Sequence, residues 1–327
     1  MGENNNSKLL GAARRLGRVQ ELGVGSALII LILVIGFSTE HFFDLNNLVT
    51  IIRSASFIGI MSLGMVFVLS GRDVDLSVGG IYNLAGIFTA FLFVKEFPIW
   101  ACILGGIAMG VLCGLLNIGL SLAFKIPTII ITLGTMSVFR GLGLVLSQAR
   151  PFYQFEKDNW FFQVVGVSVG KVPTVMIILL VLTLILIIVY GFTVFGTRVR
   201  AIGANPEAAR FTGINITKNR IFVFMLMGGL AGLAGMLEVA YLQTSSPSMG
   251  SGSELMVIAA AIIGGTALSG GSGSILGALI GTLLIMTIRN GIVHLGVSAY
   301  WSATVTGFVI IAAVAVDYLF KRARKAI

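Results

Sequence analysis

The sequence predicts an all-α membrane protein of about ten transmembrane helices, and two observations support this fold class. The first is composition: 57% of the 327 residues are apolar and only 11% are charged, whereas a soluble domain carries roughly 25% charged residues. The second is that the apolar residues form runs of about 20, the length that crosses the hydrocarbon core as a helix. Such runs exclude a transmembrane β-barrel, whose strands alternate over about ten residues.

Ten predicted spans follow one another along the chain. The first comes after a basic segment, and no small-residue cleavage site follows it, so it is predicted to be a retained helix rather than a signal peptide. The longest polar segment, 149–172, is rich in aromatic residues, which fit either a rim that contacts a partner protein or anchors at the membrane interface. The spans are predicted at 22–39, 53–70, 76–94, 99–121, 126–147, 173–195, 221–242, 254–269, 275–293 and 299–319.

Charge predicts the topology of these spans. If successive spans cross the membrane in opposite directions, most of the 22 Lys and Arg residues lie on the side that holds both termini. The positive-inside rule therefore places both termini in the cytoplasm. The predicted transmembrane domain, 21–320, includes a cytosolic loop at 196–220, and cytosolic tails at 1–20 and 321–327 flank it. This bias also accounts for the net charge of +9 without a nucleic-acid partner.

The two halves of the sequence show a weak repeat. Asp75-Leu-Ser-Val begins the third span, and Glu254-Leu-Met-Val begins the eighth. Gly106 and Gly110 in the fourth span have counterparts four residues apart in the ninth. Because five spans, an odd number, separate the halves, the repeat would be inverted in the membrane, as in many transporters. Chance similarity between spans rich in small residues is the alternative.

The sequence carries no enzyme motif. Gly170-Lys171 lacks the upstream glycine of a phosphate-binding loop, and GGTALSGGSG at 264–273 lies at a span end rather than between a strand and a helix. The two cysteines, Cys102 and Cys113, lie within one apolar run and are predicted to be buried apolar residues. Neither histidine has a partner at metal-ligand spacing. These residues therefore predict neither an enzyme nor a metal or cofactor held by this chain.

Charged residues near the spans are informative because each is costly in lipid unless it is paired or hydrated. Asp75 and Glu254 would mark the ends of broken helices along a hydrated path, and structural pairing at the interface is the simpler alternative. Only Glu238 approaches the interior of a span, which disfavours a proton-coupled carrier. The candidate path or helix-break residues are Asp73, Asp75, Ser77, Asn83, Glu254, Gly264, Gly265 and Thr266.

The segment from Gly203 to Ile216, GANPEAARFTGINI, interrupts two long apolar runs. Its EAAR sequence favours a short helix, and Gly213 suits the position that follows a helix end. The two adjacent alanines are small enough to let the surface of another protein approach closely. By physical argument alone, an ordinary cytosolic loop is an equal alternative.

Four motifs in order resemble those of one family. Glu207-Ala208-Ala209 followed by Gly213 resembles the EAA-x-x-x-G pattern of ABC importer permeases, and GANPEAARFTGINITKNRI resembles that segment in permeases for ribose, xylose or arabinose. The motifs SGRDVDLSVGG at 70–80, KIPTIIITLGTMSVFR at 125–140 and ELMVIAAAIIGGTALSGGSGS at 254–274 resemble others of this monosaccharide branch. The likeness covers about 42–317. It departs beside Asp73, where the family usually has Gly or Ile, and the Ile-x-Leu-Pro tail of the broader EAA motif is absent.

The resemblance implies a ten-span permease of an ATP-driven sugar importer in the bacterial inner membrane. Cytosolic ATPase subunits would hold ATP and Mg²⁺, an extracytoplasmic binding protein would deliver a monosaccharide, and a second permease copy or homologue would pair with this one. The sugar is not specified by the resemblance. A carrier or channel driven by an ion gradient is the competing class. The implied ATPase-coupling residues are Gly203, Asn205, Glu207, Ala208, Ala209, Arg210, Gly213 and Ile214.

Overall fold

The computed structural model describes residues 3–298, apart from gaps at 154, 156–159, 167 and 170–171, and a few positions beyond 300. A short hairpin, β1 (Ser168–Val169) with β2 (Val172–Pro173), and a π-helical turn, Phe161–Val165, lie in the 149–172 segment. The remaining secondary-structure elements of the described chain are α-helices, joined by turns and loops. The helices are α1 (Glu3–Ser38), α2 (Leu45–Ser70), α3 (Val78–Val94), α4 (Ile99–Phe124), α5 (Thr128–Ser147), α6 (Thr174–Phe192), α7 (Val194–Ala204), α8 (Pro206–Phe211), α9 (Ile216–Leu242), α10 (Ser253–Ile263) and α11 (Ile275–His294).

The predicted fold class is confirmed. Of the described helices, seven are long and apolar enough to cross a membrane, and α3 and α10 are shorter apolar helices. These nine correspond in order to the first nine predicted spans. The tenth, 299–319, and the basic tail 321–327 lie almost wholly outside the described residues, and no feature of the described structure orients the termini.

The predicted end of the eighth span is wrong. The eighth span was expected at 254–269, but α10 ends at Ile263 because Gly264 lies against the backbone of Gly277 and Gly265 turns the chain with φ +97°. The 196–220 segment holds most of α7, all of α8 and the first turn of α9, and α8 is the short helix predicted before Gly213. The described part of the 1–20 segment is continuous with the first span in the single helix α1, and its place in the cytoplasm stays a prediction.

Glycines allow α4 and α9 to cross with their backbones in contact. A Cβ atom on Gly110 would lie 2.2 Å from the carbonyl oxygen of Gly228, and one on Gly114 would lie 2.1 Å from that of Phe224. Packing of small residues is a main source of helix association in lipid. The glycines of α4 and α9 therefore form a close helix–helix contact.

The helix pairings of the two halves correspond. In the first half, α3 packs on α4 and on α9, the second span of the other half. In the second half, α10 packs on α11 and on α2, the second span of the first half. This is the order of contacts that the predicted repeat requires, while the opposite direction of the two halves in the membrane stays a prediction.

The core of the bundle is built around α2. From Phe57 to Ser70 every residue of this helix is buried, and α6, α9, α10 and α11 pack against it. The outer helices α1, α5 and α6 instead expose many large apolar side chains, as expected where lipid or another subunit is the neighbour. Both cysteines are buried and free, as the sequence predicts.

Candidate coupling segment and transport path

The short helix α8 is capped at its start by Asn205, the residue that follows α7. Asn205 has extended backbone angles, and its Oδ1 accepts hydrogen bonds from the backbone N–H groups of Glu207 (3.1 Å) and Ala208 (3.0 Å). Pro206 occupies the first turn, where its missing N–H leaves no hydrogen bond unmade. An N-cap of this kind stabilises a helix by about 1 kcal/mol, which matters for a helix of six residues.

The other end of α8 is closed by Gly213, as the sequence predicts. Gly213 has φ +79°, and its N–H donates to the carbonyl oxygen of Arg210 at 2.9 Å. The N–H of Ile214 donates to the carbonyl oxygen of Ala209 at 3.1 Å. These two bonds form a Schellman motif, whose left-handed position favours glycine. Thus both ends of α8 are capped by local hydrogen bonds.

The outer surface of α8 is open. Ala209 is the inward residue, at 4% exposure, whereas Phe211 is 92% exposed. The side chains of Glu207, Ala208 and Arg210 are exposed as well. Our sequence interpretation did not select Phe211, although a single aromatic residue within a polar segment was a usable signal. An exposed phenylalanine on a capped helix provides an apolar contact for another protein.

The base of this segment is packed against the bundle by backbone contacts. A Cβ on Gly203 of α7 would lie 1.8 Å from the carbonyl oxygen of Ser70, the last residue of α2. The same oxygen accepts a hydrogen bond from the N–H of Gly271 at 2.9 Å. These contacts join α7 directly to the end of α2, and they join the end of α2 to the glycine-rich turn 264–274.

An ion pair forms a second connection at this end of the bundle. Arg220, in the first turns of α9, donates from Nε and Nη2 to the two carboxylate oxygens of Asp73, each at 2.8 Å. Thr128, the first residue of α5, donates to Asp73 at 2.9 Å. We call these three residues the clasp. Asp73 and Arg220 are mostly buried, with side-chain exposures of 11% and 25%, and the clasp joins α9, α5 and the connection that leads into α3.

Asp75 and Ser77 lie in a buried polar network at the start of α3. One Asp75 carboxylate oxygen accepts from the backbone N–H (2.8 Å) and hydroxyl (2.6 Å) of Ser77. Asn117 of α4 donates to the Ser77 hydroxyl at 2.7 Å and accepts from Thr135 of α5 at 2.6 Å. All four side chains are at least 94% buried. The network joins α3, α4 and α5, and these residues do not line an open channel in this structure.

The starts of α3 and α10 meet inside the bundle. Glu254, in the first turn of α10, lies so close to α3 that a Cβ on Gly79 would be 2.3 Å from its Oε2. One turn further along α3, the Asn83 side chain donates to the carbonyl oxygens of Ser246, Pro247 and Met249 at 2.9–3.3 Å. These two helices have 17 and 11 residues, and they are shorter than the other apolar helices of the described bundle. That they are the broken helices of an inverted repeat stays a prediction.

A hydrogen bond from a tyrosine to a carboxylate also joins α3 to α9. The Tyr82 hydroxyl of α3 donates to the Glu238 carboxylate of α9, so the acid closest to the interior of a span has a structural partner. The remaining candidates, Gly264, Gly265 and Thr266, lie at the other end of α10, about 16 Å from Glu254 by helix length. The predicted path residues therefore occupy several places along α3 and α10 rather than one site.

A family profile described as "Branched-chain amino acid transport system / permease component" matches residues 47–314. The chain belongs to this family. The permease is 37% identical to the ribose import permease protein RbsC of Bacillus subtilis, over 92% of this chain and 94% of that protein. It is 37% identical to the D-allose transport system permease protein AlsC of Escherichia coli K12, over 90% of each chain. It is 36% identical to RbsC of Escherichia coli K12, over 89% of this chain and 91% of that protein.

Membership of this family confirms the predicted class of protein. The chain is the membrane-embedded component of a transport system, with several spans in the bacterial inner membrane, and it is not the subunit that hydrolyses ATP. The predicted resemblance to ABC importer permeases of the monosaccharide branch is confirmed by the same matches.

Proposed function

We propose that this permease forms the translocation path of an ATP-driven importer for a monosaccharide. The observation that carries the proposal is identity of 36–37%, over about nine-tenths of the chain, to permeases named for ribose and allose. The family description names branched-chain amino acids, which makes such an amino acid the second candidate. The sugar is favoured because these relatives match the whole described bundle.

The ATPase subunit docks, in this proposal, on α8 and the residues around it. This surface comprises Gly203, Asn205, Glu207, Ala208, Ala209, Arg210, Gly213 and Ile214, to which the structure adds Phe211. Two features support the assignment. The helix is capped at both ends, so it can transmit force without unwinding, and its outer face is exposed. ATP and Mg²⁺ belong to the partner, and this chain contributes no nucleotide-binding group.

The bundle offers two routes from α8 to the path. Closure of the ATPase dimer would push α8, and α7 would carry that movement to the end of α2 through Gly203. In parallel, α9 would carry it through the clasp to the connection that enters α3. The switch of the path from one side of the membrane to the other then requires ATP to bind the two conformations of the transporter with different affinity. Because α3 and α10 begin side by side, a shift of α3 also moves Glu254.

Two further partners complete the proposed transporter. An extracytoplasmic binding protein delivers the sugar, so the permease itself needs only weak affinity. A second copy of the permease, or a homologue, covers part of the apolar surface of the outer helices and closes the path. Both termini lie in the cytoplasm in this arrangement, on the side of the coupling segment.

Reconstitution tests the proposal. The permease, its co-expressed ATPase and its binding protein are placed in proteoliposomes, and ATP hydrolysis and uptake are measured with pentoses, hexoses and leucine. We expect one sugar to stimulate both activities, and only with the binding protein present. Stimulation by leucine alone would replace the sugar with the second candidate. Uptake driven by an ion gradient without an ATPase would contradict the importer.

A further inference from the structure

The ion pair between Arg140 and Glu254 is only partly enclosed by the chain. Nη2 of Arg140 donates to both carboxylate oxygens of Glu254, at 3.1 and 2.9 Å. The Arg140 side chain is nevertheless 30% exposed, against 10% for Glu254. Within the described part of the chain, Nε and Nη1 of Arg140 have no hydrogen-bond partner. The guanidinium therefore has donor groups to offer outside the chain.

The position of Arg140 makes this exposure informative. It is the thirteenth residue of α5, so it lies about 18 Å along the helix from Thr128 and about 10 Å from Ser147. At that position it lies within the hydrocarbon region of a bilayer about 30 Å thick. An arginine at such depth faces the protein interior or a water-filled space rather than lipid. This side of α5 must therefore face water or another protein.

The surface of α5 beside Arg140 is made of small residues. Gly134, Ser137 and Gly141 are not buried, and a Cβ on either glycine would have no neighbour within 4 Å. With Arg140, they lie within about one third of the helix circumference. We call these four residues the α5 window. Bulky exposed leucines stand at its two ends, Leu133 and Leu144.

We infer that the α5 window lines the substrate path and that Arg140 and Glu254 contact the hydroxyl groups of the passing sugar. This inference rests on the proposed function, because it takes the monosaccharide from there. Guanidinium N–H groups donate to hydroxyl oxygens, and a carboxylate accepts from hydroxyl hydrogens. A neutral polyol can therefore share both partners while the two charges still neutralise each other. After the sugar leaves, the pair closes again, which suits a site that must release its ligand.

The close packing of Glu254 supports this role. Gly79 lets α3 approach Glu254, and α3 holds the 244–252 segment through Asn83. Any movement of α3 therefore changes where the carboxylate stands relative to Arg140, which is carried by a different helix. The pair thus connects the proposed path to the helix that the coupling segment moves.

Cysteine labelling tests whether the window faces the path. In a background with Cys102→Ala and Cys113→Ala, Ser137→Cys is compared with Leu184→Cys, which lies at similar depth on the exposed face of α6 and is 65% exposed. Each assembled transporter is treated with a charged, membrane-impermeant methanethiosulfonate. We expect Ser137→Cys to be labelled, more slowly when sugar is present, and Leu184→Cys to stay unlabelled. An unlabelled Ser137→Cys in a complex that transports sugar would overturn the inference. Equal labelling rates with and without sugar would also overturn it, because a residue that lines the path is shielded while sugar occupies it.

Neutral variants test the ion pair. Glu254→Gln leaves Arg140 unpaired and could reduce folding, so the double variant Arg140→Gln/Glu254→Gln is measured as well, since it leaves no unpaired charge. We expect the double variant to assemble with the ATPase and hydrolyse ATP, but to lower the uptake rate by about tenfold or more. Uptake at the parental rate by the double variant would show that the pair is structural and overturn the inference. The parent complex is measured in the same assay. If the parent does not transport sugar, the proposed function fails; if the parent transports sugar and the double variant matches it, the inference about the pair fails.

Discussion

Phe211 contributes an exposed aromatic side chain to a segment that is otherwise polar or small. Its ring is 92% exposed, on a helix whose two ends are fixed by Asn205 and Gly213. Aromatic residues that become buried at the centre of an interface commonly account for much of the binding free energy. Its position makes Phe211 the main apolar anchor of the proposed ATPase contact.

Replacement of this ring should weaken the complex without affecting the bundle. We expect Phe211→Ala to reduce the free energy of ATPase binding by about 2 kcal/mol, or roughly thirtyfold in Kd. Titration of the ATPase onto the permease in lipid nanodiscs measures this change. Thr217→Ala, at another exposed position near the coupling segment, is the matched control and should bind like the parent. Equal Kd values for all three proteins would exclude Phe211 from the interface.

The residues that could be predicted from the sequence act through local contacts. Asn205 and Gly213 cap a helix whose bonds reach only two to five residues along the chain, so their roles follow from type and spacing. The partner of Arg140 is 114 residues away, and no local pattern indicates that pairing. Phe211 was not selected, because an apolar residue between transmembrane runs resembles the start of the next span, although its polar surroundings were a usable signal.

The clasp is the element-scale feature most closely tied to coupling. It joins α9 to α5 and to the connection that enters α3. Removing one partner of a buried ion pair leaves the other charge unpaired and costs about 3 kcal/mol or more. A variant of the clasp should therefore affect coupling and stability together, and a charge reversal is needed to separate the two effects.

We expect Arg220→Gln to keep basal ATP hydrolysis in the complex but to lose most of its stimulation by the binding protein. The reversed pair, Asp73→Arg with Arg220→Asp, should recover part of that stimulation because the attraction is restored in the opposite sense. The measurement is ATP hydrolysis with and without loaded binding protein, analysed as a double-mutant cycle. Additive losses in the double variant would argue that the two residues act independently.

Two glycines of α4 allow the effect of close helix packing on stability to be measured apart from the effect of helix propensity. Gly110→Ala would place a methyl group 2.2 Å from the Gly228 carbonyl oxygen, whereas Gly119→Ala meets nothing within 4 Å. We expect Gly110→Ala to lower the thermal unfolding temperature of the detergent-solubilised protein clearly. The Gly119→Ala control should match or exceed the parent, since alanine favours a helix by up to about 1 kcal/mol over glycine. Similar unfolding temperatures for the two variants would show that the α4–α9 contact yields easily.

Element positions were largely predictable because lipid imposes length and composition on each span. The exceptions are elements whose ends depend on tertiary contacts. The end of α10 depends on Gly264 meeting Gly277, a contact between two helices. Within the coupling segment only the short helix before Gly213 was predicted, because α7 is too short and too polar to show a membrane signal.

At the scale of the molecule, the exposed apolar faces of the outer helices need neighbours. Lipid suffices for α6, whereas the guanidinium on α5 does not suit lipid. A path formed between two permeases would cover part of the apolar surface and would give the guanidinium of Arg140 a polar surrounding. We expect native mass spectrometry of the purified importer to show two permeases of 34.6 kDa each, or one with a homologue, per pair of ATPase subunits. A complex with a single permease would require a path enclosed by one chain.

The crossing of α4 and α9 has a consequence for exchange with solvent. Two backbones in direct contact leave no side chain whose rotation could admit water between them. Amide hydrogens near Gly110 and Gly228 are therefore expected to exchange with deuterium only when the helices separate as a whole, the slowest class of opening. Deuterium uptake there should stay the same throughout the transport cycle, so this pair of helices provides a fixed reference against which movement of α3 and α8 can be measured.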